Sequence, residues 1–245
     1  MFRPDADLGE QQEGLYVIAE LSEPVAEVGF QGPELLQVAG QGQLAVEVDA
    51  QPGFGDVIRG DTGDDRFHGY GSIRVVLGIA AASVALGKGY DETLIERMEK
   101  ASGKPATTAA TAYRHALTAL GIKRVAIAAP WSEAINVTMV NFLTQHGFEV
   151  VHSEVMGFVQ NTELGRVDPE SAYDFGRRAD RPQAEAVIIP GGNWPTMSIA
   201  GRLEQDIGKP VLTNNCVCIW DALQKIGCRA SIPGYGRLLE RYLTA

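Results

Sequence analysis

Two cysteines come shortly after an apolar segment that is typical of a buried strand. Their thiols are groups that could carry out chemistry on a bound substrate. Cys216 and Cys218 stand at the start of a predicted helix. A helix dipole lowers the pKa of a thiol near its N-terminus, and a thiolate is both a strong nucleophile and a base. Both cysteines are therefore catalytic candidates, and the alternative for each is a buried structural thiol.

Another loop after a strand-like segment, residues 190–196, combines glycines with a tryptophan. The backbone N–H groups of Gly191 and Gly192 could stabilise negative charge that develops on a substrate. Trp194 could line an aromatic substrate pocket, whereas Trp220 has the helical spacing of a core residue. The loop is therefore a candidate binding site.

Most nucleotide, metal and hydrolase signatures are missing from the sequence. It contains no GxxxxGK[ST], no GxGxxG after a strand, no HExxH and no GxSxG. Three cysteines without CxxC or Cys/His ligand spacing argue against a disulfide framework and a structural zinc site. The four histidines are scattered, and we interpret them as surface or hydrogen-bonded residues: His68, His115, His146 and His152.

Strands and helices alternate from Ile73 onward, which predicts βαβ units and a parallel sheet covered by helices. The predicted strands occupy the first half of 73–86, then 125–129, 149–152, 186–189 and 210–213. The predicted helices span 91–101, 107–120, 133–146, 170–179, 198–206 and 216–226. Ligands of such sheets bind beyond the carboxyl ends of the strands. The loops to inspect are therefore 78–83, 130–132, 157–165, 190–196 and 213–216.

Residues 1–75 differ from the rest of the chain in charge. They hold 14 acidic residues, four arginines and no lysine, whereas the remaining residues are balanced, so this segment carries the whole net charge of −10. Short strand-like stretches occur at 15–19, 44–48 and 57–58, and a weak helix is predicted over 24–36. We interpret the segment as a divergent or partly disordered lobe, or as a misread frame, and only secondarily as an acidic interaction tail.

Composition limits the class of protein. The 245 residues are 45% hydrophobic and 21% charged, an ordinary globular balance. A membrane span is not expected, because no run of about 18 apolar residues occurs. Neither a secretory signal nor a basic face for nucleic acid is found. We therefore expect a cytoplasmic protein without a nucleic-acid or membrane partner, and a homo-oligomer is compatible with the sequence.

The stretches between residues 76 and 238 resemble the maleate cis-trans isomerase and arylmalonate decarboxylase branch of the aspartate/glutamate racemase superfamily. No single motif is diagnostic, and the likeness lies in their order and spacing. The stretches are Leu86-Gly-Lys-Gly-Tyr-Asp91, Ala101-Ser-Gly-Lys-Pro-Ala-Thr-Thr108, Ala116-Leu-Thr-Ala-Leu-Gly-Ile-Lys-Arg-Val-Ala126, Asn161-Thr-Glu-Leu-Gly-Arg-Val-Asp-Pro169, Gly208-Lys-Pro-Val-Leu-Thr213, Trp220-Asp-Ala-Leu223 and Pro233-Gly-Tyr-Gly-Arg-Leu238.

The resemblance implies an α/β fold of two similar, pseudo-twofold-related lobes. Each lobe is a parallel sheet flanked by helices, and the active site lies in the cleft between them. The first lobe would contain residues 1–106 and 213–245, and the second residues 107–212. The family's chemistry uses neither cofactor nor metal. Its racemases face two cysteines across the substrate, its isomerase adds a thiolate to maleate, and its decarboxylase protonates an enediolate with one cysteine.

This sequence departs from the family pattern at both cysteine positions. The first falls on Ala81, or nearer Ile79 when counted back from Leu86, and the second falls on Gly191. The family tyrosine that holds a substrate carboxylate falls on Trp131, which still donates one N–H. The full set of substrate-binding candidates is Ala81, Ser83, Trp131, Asn161, Gly191, Gly192, Asn193 and Asn214.

Three interpretations follow. The first is a cofactor-independent isomerase or decarboxylase of a small dicarboxylate with replaced catalytic groups, for which Cys216 and Cys218 are the candidates. The second is an impaired family member that only binds small dicarboxylates. The third is a mis-assembled gene product. We favour the enzyme.

Overall fold

The computed structural model describes residues 15–20, 35–39, 43–48, 75–102, 105–159, 161–225 and 231–243. A first sheet has five strands in the order β2–β3–β1–β4–β5. Strand β4 pairs in parallel with β1 and β5, while β3 runs antiparallel to β1 and β2. The strands are β1 (Leu15–Glu20), β2 (Leu35–Ala39), β3 (Gln43–Val48), β4 (Val75–Leu77) and β5 (Ala106–Thr108).

A second sheet is entirely parallel and has four strands in the order β7–β6–β8–β9. Residues 125–131 of β6 are all buried, as expected for a parallel strand covered on both faces. The strands are β6 (Arg124–Trp131), β7 (Glu149–Phe158), β8 (Ala186–Ile189) and β9 (Val211–Thr213).

The described residues form nine helices, several with recognisable ends. The helix after β5 begins at Ala109 because the Thr108 side chain caps it by accepting a hydrogen bond from Thr111 N. The helix ends at Ala119, and Gly121 follows two residues later with a φ of 68°, a backbone conformation that glycine adopts easily. The helices are α1 (Ala80–Val84), α2 (Tyr90–Ser102), α3 (Ala109–Ala119), α4 (Glu133–Gln145), α5 (Asn161–Leu164), α6 (Pro169–Ala179), α7 (Met197–Ile207), α8 (Asn214–Lys225) and α9 (Arg237–Arg241).

The core is dense where helices cover the second sheet. A Cβ placed on Gly176 of α6 would lie 2.7 Å from Ile189 Cδ1 and 2.8 Å from Leu203 Cδ2. Gly176 therefore lets α6 approach β8 and α7 closely. Among the largest side chains in this core are Trp194, Tyr113, Phe142 and Phe175.

The predicted α/β class with parallel sheets flanked by helices is confirmed, as are strands at 15–19 and 44–48. Residues 35 and 36 lie in β2 rather than in the weak helix, and the rest of that helix and residues 57–58 lie outside the described residues. The predicted helix start at Thr107 was wrong, because Ala106–Thr108 pairs with β4 as a strand. Threonine favours strands and helix N-caps, which accounts for both roles.

Four predicted loops contain more regular structure than expected. Most of 78–83 forms α1, Trp131 ends β6, and 157–165 holds the end of β7 and all of α5. The loop 213–216 holds the last residue of β9 and the first turn of α8. Strand β7 continues six residues beyond its predicted end at His152. These differences move side chains of the candidate site from flexible loops onto regular elements.

Within the described ranges, no helix is both long and apolar enough to cross a membrane.

Candidate functional site

A cleft opens where β4, β6 and β8 end at their carboxyl edges. It encloses about 260 Å³, counting the part open to solvent, and is lined by Ile79, Ala80, Ala81, Trp131, Gly191, Gly192 and Asn193. Five of the predicted substrate-binding residues therefore meet in one place. The lining is small and mostly apolar, and the side chains in it that carry polar atoms are Trp131 and Asn193.

The two sides of the cleft are in close backbone contact. A Cβ added to Gly192 would lie 2.5 Å from the carbonyl oxygen of Gly78. Real Cβ atoms do not approach an oxygen so closely, so glycine is the residue that fits here. This contact holds the loop after β8 against the loop after β4.

Gly191 also occupies a position built for glycine. Its φ is +114°, and a Cβ there would lie 2.9 Å from Pro130 Cγ and 3.2 Å from Leu164 Cδ2. Residues with a Cβ rarely adopt this backbone conformation. The resemblance puts the family's second cysteine at this position, and in this chain a thiol would have to displace Pro130.

Trp131 is a hydrogen-bond donor without an acceptor. Its side chain is 7% exposed, and its Nε1 is buried with no partner among the described residues. A buried donor left unpaired costs free energy, so such groups are normally satisfied by protein, water or ligand. Trp131 also lines the cleft, so an oxygen acceptor on a ligand bound there is a candidate partner for this N–H.

Trp194 does not line the cleft, so the aromatic pocket predicted for it is wrong. It is fully buried, with its ring centroid 6.4 Å from that of Phe175. Trp220 is a core residue as predicted, and its Nε1 donates to Tyr242 O at 3.0 Å.

Cys216 and Cys218 lie on α8 with buried side chains in the core, and they are absent from the cleft lining. Burial raises the pKa of Cys216 to about 12. Burial also raises the pKa of Cys218, and the charge of Asp221 raises it further. The expectation that the helix N-terminus makes these thiols acidic was therefore wrong, because desolvation outweighs the dipole.

We expect both thiols to be inert at neutral pH in the folded protein. In a Cys228→Ser background, labelling of Cys216 and Cys218 at pH 7 should be at least about a hundredfold slower than after unfolding, because the thiolate is the reactive form. Peptide mass spectrometry after timed labelling measures each site separately. A native rate equal to that of a free cysteine would restore that thiol as a catalytic candidate.

Ser83 and Asn214 serve the structure around the cleft rather than its lining. Ser83 is fully buried, donates to Ala80 O and accepts from Ala110 N near the start of α3. Asn214 is fully buried and donates to Gly78 O at 2.7 Å. Asn161 is the first residue of α5, and its side chain lies outside the described part of the chain.

Sequence reasoning missed Ala80 and Asn215. Ala80 lines the cleft, and Asn215 Nδ2 donates to Gly192 O at 3.2 Å. Both residues could have been identified by their position after β4 and β9, because ligands bind at the carboxyl edge of such sheets. No three His, Cys, Asp or Glu side chains within the described residues are grouped so that they could hold a metal ion.

Comparisons with known proteins agree on one family. The family model for arylmalonate decarboxylase matches residues 36–239, so it begins forty residues before the stretches that carry the resemblance. Arylmalonate decarboxylase of Bordetella bronchiseptica is 29% identical over 157 residues, which cover 63% of this chain and 65% of that enzyme. Maleate isomerase of Pseudomonas putida is 27% identical over 173 residues, 67% of this chain and 69% of that enzyme.

Solved structures show the same relationship. A liganded double mutant of arylmalonate decarboxylase has a TM-score of 0.65 at 29% identity, covering 71% of this chain and 75% of that one. A second structure is maleate cis-trans isomerase of Nocardia farcinica with a covalently bound succinylcysteine intermediate. It is 22% identical with a TM-score of 0.65, and the match covers 68% of this chain and 71% of that one, so it shares the fold. The chain spans about two thirds of the length of the curated relatives it matches. The chain belongs to the arylmalonate decarboxylase family, whose structures have the two-lobe fold.

Proposed function

We propose that this protein decarboxylates a small malonate-type dicarboxylate without a cofactor. The observation that carries the proposal is the buried, unpaired indole N–H of Trp131, a residue that lines the cleft, because this donor lacks an acceptor that a substrate carboxylate can supply. The family relationship supplies the reaction class. Decarboxylation fits the lining better than isomerisation, since the isomerase route needs a thiolate that adds to a double bond.

In the proposed reaction, the bond between the central carbon and one carboxylate breaks, and carbon dioxide leaves. The electron pair of that bond moves into the remaining carboxylate and gives an enediolate. Trp131 and backbone N–H groups at Gly192 and Asn193 donate to its oxygens and stabilise the charge. Water at the open side of the cleft supplies the proton to carbon, and the remaining hydroxide combines with carbon dioxide as bicarbonate.

The small, apolar lining also favours decarboxylation. Ile79, Ala80 and Ala81 present no polar side chain to the cleft. A carboxylate leaving as neutral carbon dioxide is favoured where water is scarce, because the ion loses solvation and the product does not need it. We therefore propose that the departing group faces these three residues.

The assignment of residues 1–106 with 213–245 to one lobe, and of 107–212 to the other, is part of the same proposal. The lining residues Ile79, Ala80 and Ala81 would then belong to the first lobe. Trp131 and the glycine loop would belong to the second.

An assay of arylmalonate decarboxylation beside maleate-to-fumarate conversion tests the function. We expect turnover of the malonate, and we expect Trp131→Phe to lower kcat/KM roughly tenfold through loss of one donor to developing charge. Trp220→Phe is the matched control, because it removes a buried indole N–H outside the cleft and should leave kcat/KM unchanged.

The other outcomes are equally specific. Fumarate formation without decarboxylation would replace the proposal with isomerase activity. Calorimetric binding of malonate, maleate or succinate without turnover of any substrate would support an impaired binder instead. Absence of both binding and turnover from a folded sample would reject the site.

A further inference from the structure

Two neighbouring asparagines at the start of α8 connect the two loops that meet in the cleft. Asn214 Nδ2 donates to Gly78 O at 2.7 Å and lies 3.3 Å from Asn215 Oδ1. Asn215 Nδ2 donates to Gly192 O at 3.2 Å. These contacts form one continuous path of amides from the loop after β4 to the loop after β8.

These hydrogen bonds lie where the two loops are in closest contact. The carbonyl oxygen of Gly78 that accepts from Asn214 is also the atom against which Gly192 packs. Asn214 is fully buried and Asn215 is partly buried, so the bonds are shielded from competing water. Substitution of either asparagine should therefore loosen both loops.

Holding a carbonyl also fixes the N–H group that follows it. In a trans peptide the C=O and the next N–H point in opposite directions. The N–H groups of Ile79 and Asn193 therefore point away from the asparagines that hold Gly78 O and Gly192 O. Both Ile79 and Asn193 line the cleft.

We propose that Asn214 and Asn215 are positioning residues: together they form a brace that couples the two loops and fixes the N–H groups of Ile79 and Asn193 for a carboxylate ligand. The choice of ligand rests on the proposed function, whereas the coupling of the loops does not. In this proposal Asn214 holds the peptide of Gly78 in place and does not contact the substrate. The sequence had predicted a direct contact between Asn214 and the substrate.

The coupling is tested without a ligand. Hydrogen–deuterium exchange of the full chain is compared for wild type, Asn214→Ala, Asn215→Ala and the double variant. Each single change should raise exchange about tenfold in both segments, 78–84 and 190–196, because it opens a shared path of hydrogen bonds. The double variant should exchange little faster than either single one.

Thr111→Val is the matched control. It removes a buried hydrogen bond, from Thr111 Oγ1 to Asp91 at 2.6 Å, that does not reach the cleft. Its two cleft segments should keep wild-type exchange. Faster exchange confined to the loop that touches the altered asparagine, or additive effects in the double variant, would overturn the brace.

Malonate titration supplies the second readout. Both single variants should weaken binding about tenfold, while Thr111→Val should not. Loosened loops with unchanged malonate affinity would overturn the positioning role. If wild type binds no malonate, maleate or succinate, the proposed function fails, and the exchange data alone decide whether the brace exists.

Discussion

Gly192→Ala is expected to weaken ligand binding in the cleft about a hundredfold. The new Cβ would lie 2.5 Å from Gly78 O and 3.2 Å from Asn214 Nδ2, so the two loops must separate. Displacements of this size at a binding site cost about a hundredfold, because donors no longer meet the ligand. Overpacking also lowers the free energy of unfolding by roughly 1–3 kcal/mol. Calorimetric titration and chemical denaturation measure the two effects.

Gly121→Ala separates loss of the cleft from loss of stability. Gly121 has a φ of +68° and no atom within 4 Å of an added Cβ, so its replacement strains the backbone without crowding. It should lower stability by about 1 kcal/mol and leave binding unchanged. Wild-type affinity in Gly192→Ala would mean that the contact between the loops does not shape the cleft.

The longer helices and most strands from residue 75 onward could be predicted because each repeats its own hydrophobic period, whereas the short helices α1, α5 and α9 could not. Strand β8, for example, is an apolar run followed by Pro190 and two glycines, which end it. Strand β5 could not be predicted in this way. Its three residues, Ala106–Thr108, form a strand only because β4 lies beside them, and this partner is a tertiary contact.

The position of the candidate site could be predicted, but the roles of its residues could not. Residues after parallel strands meet at one edge of a sheet, which brought Ala81, Trp131 and Gly191 together. Burial is a property of the packed molecule, and it turned Cys216 and Cys218 from reactive candidates into core thiols. The same rule therefore predicted where the cleft lies, but not which of the side chains near it are buried.

Asp221 connects three elements of the core: α8, β5 and α3. It lies on α8, is 2% exposed, and accepts from Thr107 of β5 at 2.5 Å. Its other oxygen lies 2.7 Å from His115 Nδ1 of α3. Burial raises the pKa of Asp221, but the hydrogen bonds from His115 and Thr107 and the charges of His115 and Lys225 outweigh it, so the pKa is lowered overall.

Asp221→Asn is accordingly expected to lower the free energy of unfolding by about 3 kcal/mol near pH 6, because charged hydrogen bonds to Thr107 and His115 are lost. A carboxyl whose pKa is lowered by folding stabilises the protein above its unfolded pKa of about 3.9, and this contribution disappears as pH falls through the folded pKa. The difference from wild type should therefore shrink steadily below about pH 4. Urea denaturation of both proteins between pH 6 and pH 3 measures it, with exposed Asp174→Asn as the matched control. A difference that stays constant across this range would show that the carboxylate charge of Asp221 does not stabilise the fold.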